Sequence, residues 1–517
     1  MPTWLHDAVF YEIYPQSFYD SNGDGIGDIN GITEKLDYIR DLGCNALWIN
    51  PCFDSPFKDA GYDVRDYKQV APRYGTNEDL YRLFSEAHKK GIKVLLDLVP
   101  GHTSEEHPWF KESGKAERNA YSDRYIWTDF WIKGIEGRPY IGGETPRNGT
   151  YMLNFFKCQP ALNYGWREPT EPWQFSADSP QARETREAMK DVMRFWLDRG
   201  CDGFRVDMAD SLVKGDDEIK SSTSAIWREI REMLDKDYPE AALVSEWSNP
   251  WRAINGAGLH MDFFLDHWTN GYHALLRDTE KGEDRSYFKK DADSDILRFL
   301  DDYLPRYEVS REQGYMSFLT CNHDTPRLAP RLTERELKLA YAVLFTMPGV
   351  PFLYYGDEIG MRYQADLPTK EGGYTRTGSR TPMQWDGSKN LGFSTAEAEQ
   401  LYLPVDPAED APTVEAQQGS ADSLLESVRE LLALRHRETD LQADAALSVV
   451  HAAAEDLLFV YRRGETLIAV NPSGSSRSAA VPGGKETPLF LIGDYSRQGD
   501  NLTLSAQSFV ILSERKQ

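Results

Sequence analysis

Four short segments, far apart in the chain, share one construction: an apolar or β-branched run that ends in Asp, Glu, His or Arg. They are Asp97–His102 (DLVPGH), Gly203–Asp207 (GFRVD), Leu243–Glu246 (LVSE) and Phe318–Asp324 (FLTCNHD). Each run reads as a buried strand. In a (β/α)8 barrel all strand C-termini open on one face, and that face carries the chemistry. Three of the segments then bring a carboxylate to one place: Asp207, Glu246 and Asp324. Three acids with two histidines and an arginine suit acid/base and nucleophilic work on an uncharged, hydroxyl-rich substrate.

The rest of the chain keeps the rhythm of such a barrel, with strand-like runs and amphipathic stretches in alternation. Strands are predicted at Val9–Tyr14, Ala46–Asn50, Lys93–Leu98, Gly203–Asp207, Ala242–Glu246, Met261–Leu265, Met316–Thr320 and Gly349–Tyr354. Helices are predicted at Asn77–Lys90 with Gly91 at its end, at Glu184–Arg199 before Gly200, and at Ser420–Arg437. The stretch from Thr103 to Tyr164 is too long for a bare loop and reads as an inserted domain. A second insertion, Tyr363–Ser394, follows the eighth strand. Runs at Ala446–Val450, Leu457–Tyr461, Thr466–Val470, Pro488–Leu491 and Ser508–Leu512 read as a small antiparallel sandwich. The expected layout is an α/β chain. Residues 1–102 and 165–438 form the barrel, 103–164 the insertion and 439–517 the sandwich.

Composition sets limits. A chain of 517 residues suits about three domains. A net charge of −25 argues against nucleic acid and anionic membranes as partners, which call for basic patches. The five cysteines, Cys44, Cys52, Cys158, Cys201 and Cys321, are scattered and form no CxxC pair. With no apolar run of membrane-spanning length and no secretory leader pattern, a reducing cytoplasm is the expected location.

In this order, the four segments resemble the signature regions of glycoside hydrolase family 13, the α-amylase family. Ala8–Phe18 (AVFYEIYPQSF) is similar to its first barrel strand. Gly61–Tyr67 (GYDVRDY), Gly356–Met361 (GDEIGM) and Arg380–Asp386 (RTPMQWD) resemble its oligo-1,6-glucosidase-like branch. The resemblance implies a retaining α-glucosidase acting on a small disaccharide or oligosaccharide. Asp207 matches the nucleophile, Glu246 the general acid/base and Asp324 the acid that favours the distorted, charged sugar ring. Arg205, two residues before Asp207, points to the same face of its strand and holds that carboxylate ionised. His102 and His323 match the histidines that bind sugar hydroxyls, and Tyr62 the aromatic under the ring. Asp97 supports rather than reacts. Asp59 matches an acid that pairs with an arginine after the eighth strand, here Arg380 with Arg376 in reserve. Such a pair closes the cleft and predicts exo action.

Asp20-Ser-Asn22-Gly-Asp24-Gly-Ile26-Gly-Asp28 places oxygen donors on alternate residues without the closing Glu of an EF-hand. It resembles the family's structural calcium loop, with Asp20, Asn22, Asp24, Asp28 and the Ile26 carbonyl as ligands. Three positions depart from the family pattern. Gly101 stands where Asn is usual before His102, which removes a ligand for a second calcium. Ala161 replaces Asp in Gln159–Asn163 (QPALN), and Met208 after Asp207 matches neither the α-1,6 nor the α-1,4 pattern. The linkage therefore stays open. The same site also fits a transglycosylase or isomerase, trehalose synthase-like or sucrose-active. A non-catalytic relative, such as a transporter heavy subunit, would lack the acids this chain keeps.

Overall fold

A computed structural model describes residues 1–513 except 136, 267–269, 280–283, 293 and 484–485. Eight parallel strands form the central sheet: β1 (Phe10–Ile13), β2 (Ala46–Ile49), β3 (Lys93–Leu98), β4 (Gly203–Val206), β5 (Ala242–Ser245), β6 (Met261–Phe263), β7 (Tyr315–Ser317) and β8 (Phe352–Tyr354). Each of β1 to β6 pairs with its successor, and β1 also pairs with β8. A parallel bridge from Leu319 to Phe352 closes the barrel between β7 and β8. The strands match the sequence expectations to within a few residues at their ends.

The inward rows explain how this barrel makes a site. Side chains alternate across a strand. Phe10, Trp48, Leu95, Val244, Met261, Phe263 and Phe352 form one buried apolar cluster inside the barrel. Their strand neighbours, among them Tyr11, Leu47, Leu96, Phe204 and Leu243, pack in the larger cluster under the helices. Two residues further along, the same inward rows turn polar. Phe10 gives way to Glu12, Trp48 to Asn50, Leu95 to Asp97 and Val244 to Glu246, and on β4 the row is already charged at Arg205 before Asp207. The apolar plug thus sets the floor on which the charged layer stands. Gly203 (φ 141°) lets β4 meet β5 closely, since a Cβ there would lie 2.0 Å from the Ala242 carbonyl oxygen.

The helix over Asn77–Lys89 is capped by Thr76 and Asp79, and Gly91 follows it at φ 73°. The helix expected from Glu184 starts earlier and spans Pro180–Leu197. Ser179 caps it and Pro180 occupies its first turn, where a missing N–H costs nothing. The last barrel helix is Leu424–Arg437, capped by Ser423. The inserted segment contains a short helix, Pro108–Ser113, and a hairpin of Tyr140–Gly142 with Thr150–Met152. A bridge between His102 and Ala161 ties it to the barrel mouth. Ala161 lies fully buried beside Ile126, Met152 and Trp166, a setting in which an unpaired Asp would be costly.

Among the described residues the C-terminal region holds eight strands where five were expected: β9 (Leu447–His451), β10 (Phe459–Arg463), β11 (Thr466–Asn471), β12 (Arg477–Ala480), β13 (Thr487–Ile492), β14 (Tyr495–Gln498), β15 (Asn501–Leu504) and β16 (Ser508–Ser513). They make a five-stranded sheet, β9-β10-β11-β16-β13, and a three-stranded one, β12-β15-β14. Leu458, Val460, Leu502 and Leu504 fill the space between the sheets. Phe459, Tyr461, Ile468 and Ile511 face the barrel's core. All five cysteines are buried and free. Among the described residues no helix is long and apolar enough to cross a membrane.

Candidate active site

At the C-terminal mouth of the barrel, one guanidinium holds three carboxylates. Arg205 is 1% exposed. Its Nη1 donates to Asp97 Oδ1 and to Asp207 Oδ1, each at 2.9 Å, and its Nη2 lies 3.0 Å from Glu246 Oε2. Asp207 and Glu246 therefore sit side by side on one cation, and both line the same pocket with Asp324. Burial, and then the charge of Glu246, raise the Asp207 carboxyl well above the usual range, and Arg205 opposes them. The expectation that Arg205 keeps Asp207 ionised is corrected: the cation orients both acids, but burial and the Glu246 charge outweigh it. The backbone N–H of Met208 also donates to Glu246 Oε2 at 3.0 Å. It does so from a left-handed conformation, φ 42°, a strain of roughly 1–3 kcal/mol of the kind found at functional sites.

Asp324 sits in a different field. Its Oδ1 accepts from Arg380 Nη2 at 2.9 Å and Arg376 Nη1 at 3.0 Å, and its Oδ2 lies 3.2 Å from His323 Nε2. Burial favours its neutral form, but His323, Arg380 and Arg376 prevail and hold it well below the usual carboxylate range. His323 is wedged between acids, with Nδ1 2.9 Å from Glu12 Oε1. Burial opposes its charge, yet Asp324 and Glu12 raise it to about 9. Its ring stacks on Tyr62 at 5.4 Å, and the Tyr62 hydroxyl is 2.7 Å from His323 Nε2 and 3.0 Å from Asp97 Oδ2. The site thus contains an Asp324 held low beside an Asp207 pushed high.

One expected pairing is corrected. Arg380 does not reach Asp59. It is buried deep beside the Tyr14 ring, with its Nε donating to the His323 carbonyl at 2.8 Å and its Nη2 on Asp324. Arg376, four residues earlier in the 3-10 turn Tyr374–Ser379, stands at the rim. Its Nη2 lies 3.5 Å from Asp59 Oδ1 and its Nη1 touches Asp324. Arg376 therefore bridges the two acids across the pocket. Gln159 donates to Asp59 Oδ2 at 2.7 Å, while the buried Asp59 Oδ1 has no hydrogen-bond partner. A buried acceptor of this kind facing a pocket is ready for a ligand's hydroxyl.

The pocket encloses about 170 Å³. That is below the roughly 300–1,000 Å³ that receives drug-sized ligands. Asp59, Tyr62, His102, Asp207, Glu246, Asp324 and Arg376 line it as residues singled out from sequence, and Met208 and Phe155 complete it. Phe155 gave no sequence signal, since it comes from the inserted segment and meets the site only through the fold. Arg205 and His323 stand directly behind this lining.

The glycine-rich loop after β1 is curled by its own side chains. Asp20 accepts from the N–H groups of Gly23 and Gly25, Asn22 from Asp24, and Asp24 from Ile26. Asp28 caps the helix beginning at Ile29 through the Gly31 N–H and also accepts from Ser21. The oxygens on alternate residues are thus turned onto the loop's own N–H groups. Asp20 and Asp28 are already fully engaged, and the described residues contain no cluster of three His, Cys, Asp or Glu at metal-binding separation.

Comparison with known proteins agrees with this geometry. Residues 12–444 match the family described as alpha amylase, catalytic domain. The chain belongs to the α-amylase family, glycoside hydrolase family 13. It is 32% identical to an oligo-1,6-glucosidase of Heyndrickxia coagulans, over 96% of this chain and 97% of that protein. This places it in the oligo-1,6-glucosidase-like branch. It is 36% identical to the trehalose synthase/amylase TreS of Mycolicibacterium smegmatis, over 84% of this chain and 76% of the relative. Among solved structures, the trehalulose synthase MutB with Tris superimposes with a TM-score of 0.82 at 28% identity, covering 99% of this chain and 100% of that one. An isomaltulose synthase from Erwinia rhapontici with its natural substrate sucrose gives 0.81 at 26%, covering 99% of each. The α-amylase family member described here is thus an enzyme of O-glycosyl bonds.

Proposed function

We propose that this enzyme is a retaining α-glucosidase that removes glucose from the non-reducing end of short α-glucosides. The observation that carries the reading is Arg205 holding Asp207 and Glu246 on one guanidinium in a pocket closed by Asp59 and Arg376. Side-by-side acids favour double displacement, because an inverting pair must stand further apart to admit a water. Glu246 hands a proton to the leaving oxygen as that C–O bond breaks, and the Asp207 carboxylate forms the bond to the anomeric carbon. Asp324, ionised throughout, balances the positive charge that develops on the ring. Water, activated by the now deprotonated Glu246, then releases glucose with the starting configuration. Asp59 Oδ1 and Arg376 bind the hydroxyls at the sugar's far end, so chains cannot extend past them.

A second reading keeps the first step and changes the acceptor. The trehalose synthase/amylase and isomaltulose synthase relatives support transfer of the glucosyl unit to a sugar instead of water. The two are separated by incubating the enzyme with maltose, isomaltose, trehalose, sucrose, kojibiose, nigerose and an aryl α-glucoside, and resolving early products by chromatography. Free glucose alone supports hydrolysis, whereas a new disaccharide before glucose accumulates supports transfer. Structural calcium in the loop Asp20–Asp28 belongs to the same proposal. Five buried cysteines without disulfide partners support a cytoplasmic location.

A further inference from the structure

His102 forms one wall of the pocket, and the residues behind it decide how its ring is protonated. Asn154, from the inserted segment, has Nδ2 3.1 Å from His102 Nδ1 and Oδ1 3.2 Å from Lys214 Nζ. Lys214 also donates to the Ser211 carbonyl. An amide oxygen and nitrogen can be exchanged on shape alone, so the partners must fix them. A lysine ammonium only donates, so the atom facing Lys214 is the amide oxygen and the atom facing His102 is the NH2. Nδ1 of His102 must then accept, and the ring hydrogen lies on Nε2. The opposite edge of the ring requires the same, since Nε2 lies 3.1 Å from the Tyr62 carbonyl, an acceptor only. Burial pushes His102 down to about 3, so the ring is neutral.

Burial also lowers Lys214 to about 7. The arrangement survives loss of that proton, because a neutral amine still has one N–H for Ser211 and one for Asn154. Gly101 fits the same device: a Cβ there would lie 2.7 Å from Asn154 Nδ2 and 3.0 Å from Ser211 Oγ. The departure from the family's Asn at this position thus clears space for the Asn154 amide.

We propose that Lys214 and Asn154 are positioning residues that hold His102 as its neutral Nε2–H tautomer, so that the ring keeps its hydrogen bond to the Tyr62 carbonyl and with it the place of Tyr62 in the pocket wall. The substrate used to read turnover rests on the α-glucosidase reading; the tautomer does not. The line from Lys214 through Asn154 to His102 runs from the loop after β4, across the insertion, to the end of β3. It couples seating of the insertion to the donor direction of a pocket residue.

The test uses the full chain labelled with 15N-histidine, with His102 assigned by its loss in His102→Gln. The wild-type ring is expected to carry hydrogen on Nε2 alone from pH 6 to pH 9. Lys214→Met frees the amide to turn and gives a mixture of tautomers. Asn154→Asp, which is isosteric and safer for folding, offers Nδ1 an acceptor and moves the hydrogen there. Both variants lower kcat/KM on an aryl α-glucoside about ten-fold, the scale of one lost hydrogen bond. Lys214→Arg keeps a donor and restores the wild-type tautomer. An unchanged Nε2–H ring in both Lys214→Met and Asn154→Asp overturns the proposal, as does a switched tautomer with unaltered kcat/KM. If the wild type turns over no α-glucoside, the α-glucosidase reading fails, while the ring signals of the variants still decide the tautomer.

Discussion

Nη1 of Arg205 donates at 2.9 Å to Oδ1 of Asp207, two residues further along the same strand. The pleat makes this contact nearly obligatory, because residues i and i+2 share a face. Asp97 and Glu246 approach the same guanidinium from the flanking strands. Removing the cation would leave buried carboxylates uncompensated, a loss of about 3–5 kcal/mol. Arg205→Met is expected to lower the melting temperature sharply at pH 7 and to recover part of the loss at pH 5, where the acids bind protons. Differential scanning calorimetry at the two pH values checks it; an equal loss at both would deny the ion cluster its role.

Asp59 pays in stability for its place in the pocket. Burial, only partly offset by Gln159 and Arg376, raises its carboxyl to about 6. The folded pKa lies above the ordinary value of 3.8, so the group destabilises the fold increasingly as pH rises above 3.8 and reaches its full effect above 6. That effect is on the order of 3 kcal/mol. Asp59→Asn should therefore melt higher than wild type at pH 8 and equally at pH 4, while kcat/KM on maltose falls by about 100-fold. Thermal melts and initial rates on one preparation measure both.

The pH dependence of His323 has the opposite sign. Its pKa is raised from 6.5 to about 9, so its ion contacts with Asp324 and Glu12 contribute fully below pH 6.5. That contribution, on the order of 3 kcal/mol, is lost as pH climbs to 9. Wild-type stability should decline across this window, and His323→Gln should remove most of the slope. Chemical denaturation at pH 6.5, 7.5, 8.5 and 9.5 gives the comparison.

Calcium, if bound by the Asp20–Asp28 loop, stabilises the folded state by mass action. EDTA should lower the melting temperature by a few degrees, added calcium should restore it, and Asp24→Ala should abolish the response. Asp24 is exposed and far from the acid pair in sequence, so turnover at room temperature should persist. A melting temperature indifferent to EDTA would remove the metal from the account.

What was legible in the sequence follows from burial. Strands such as β4 and β5 are buried on both faces, so they are short unbroken apolar runs whose polar ends stand out. The acids, His102, His323 and Tyr62 could be found because each lies at such an end or in a local motif. The second C-terminal sheet left weaker marks. Arg477–Ala480 and Tyr495–Gln498 bury few side chains and carry polar or small residues, so alternation fades. Arg376 and Arg380 are separated by one helical turn, and only the depth of Arg380 against Tyr14 assigns Asp59 to the other. Asn154, Phe155 and Lys214 reach the site through packing of the insertion, which short-range spacing does not encode.

The central claim is that Asp207 becomes covalently glucosylated, and trapping tests it most directly. The enzyme is treated with a 5-fluoro α-glucosyl fluoride, which slows breakdown of the intermediate, then digested and analysed by tandem mass spectrometry. The account predicts one added fluoroglucosyl group on the peptide spanning Gly203–Asp207, located at Asp207, and none in Asp207→Asn. A label on Glu246 or Asp324, or turnover that releases the inverted anomer with no labelled peptide, would contradict it.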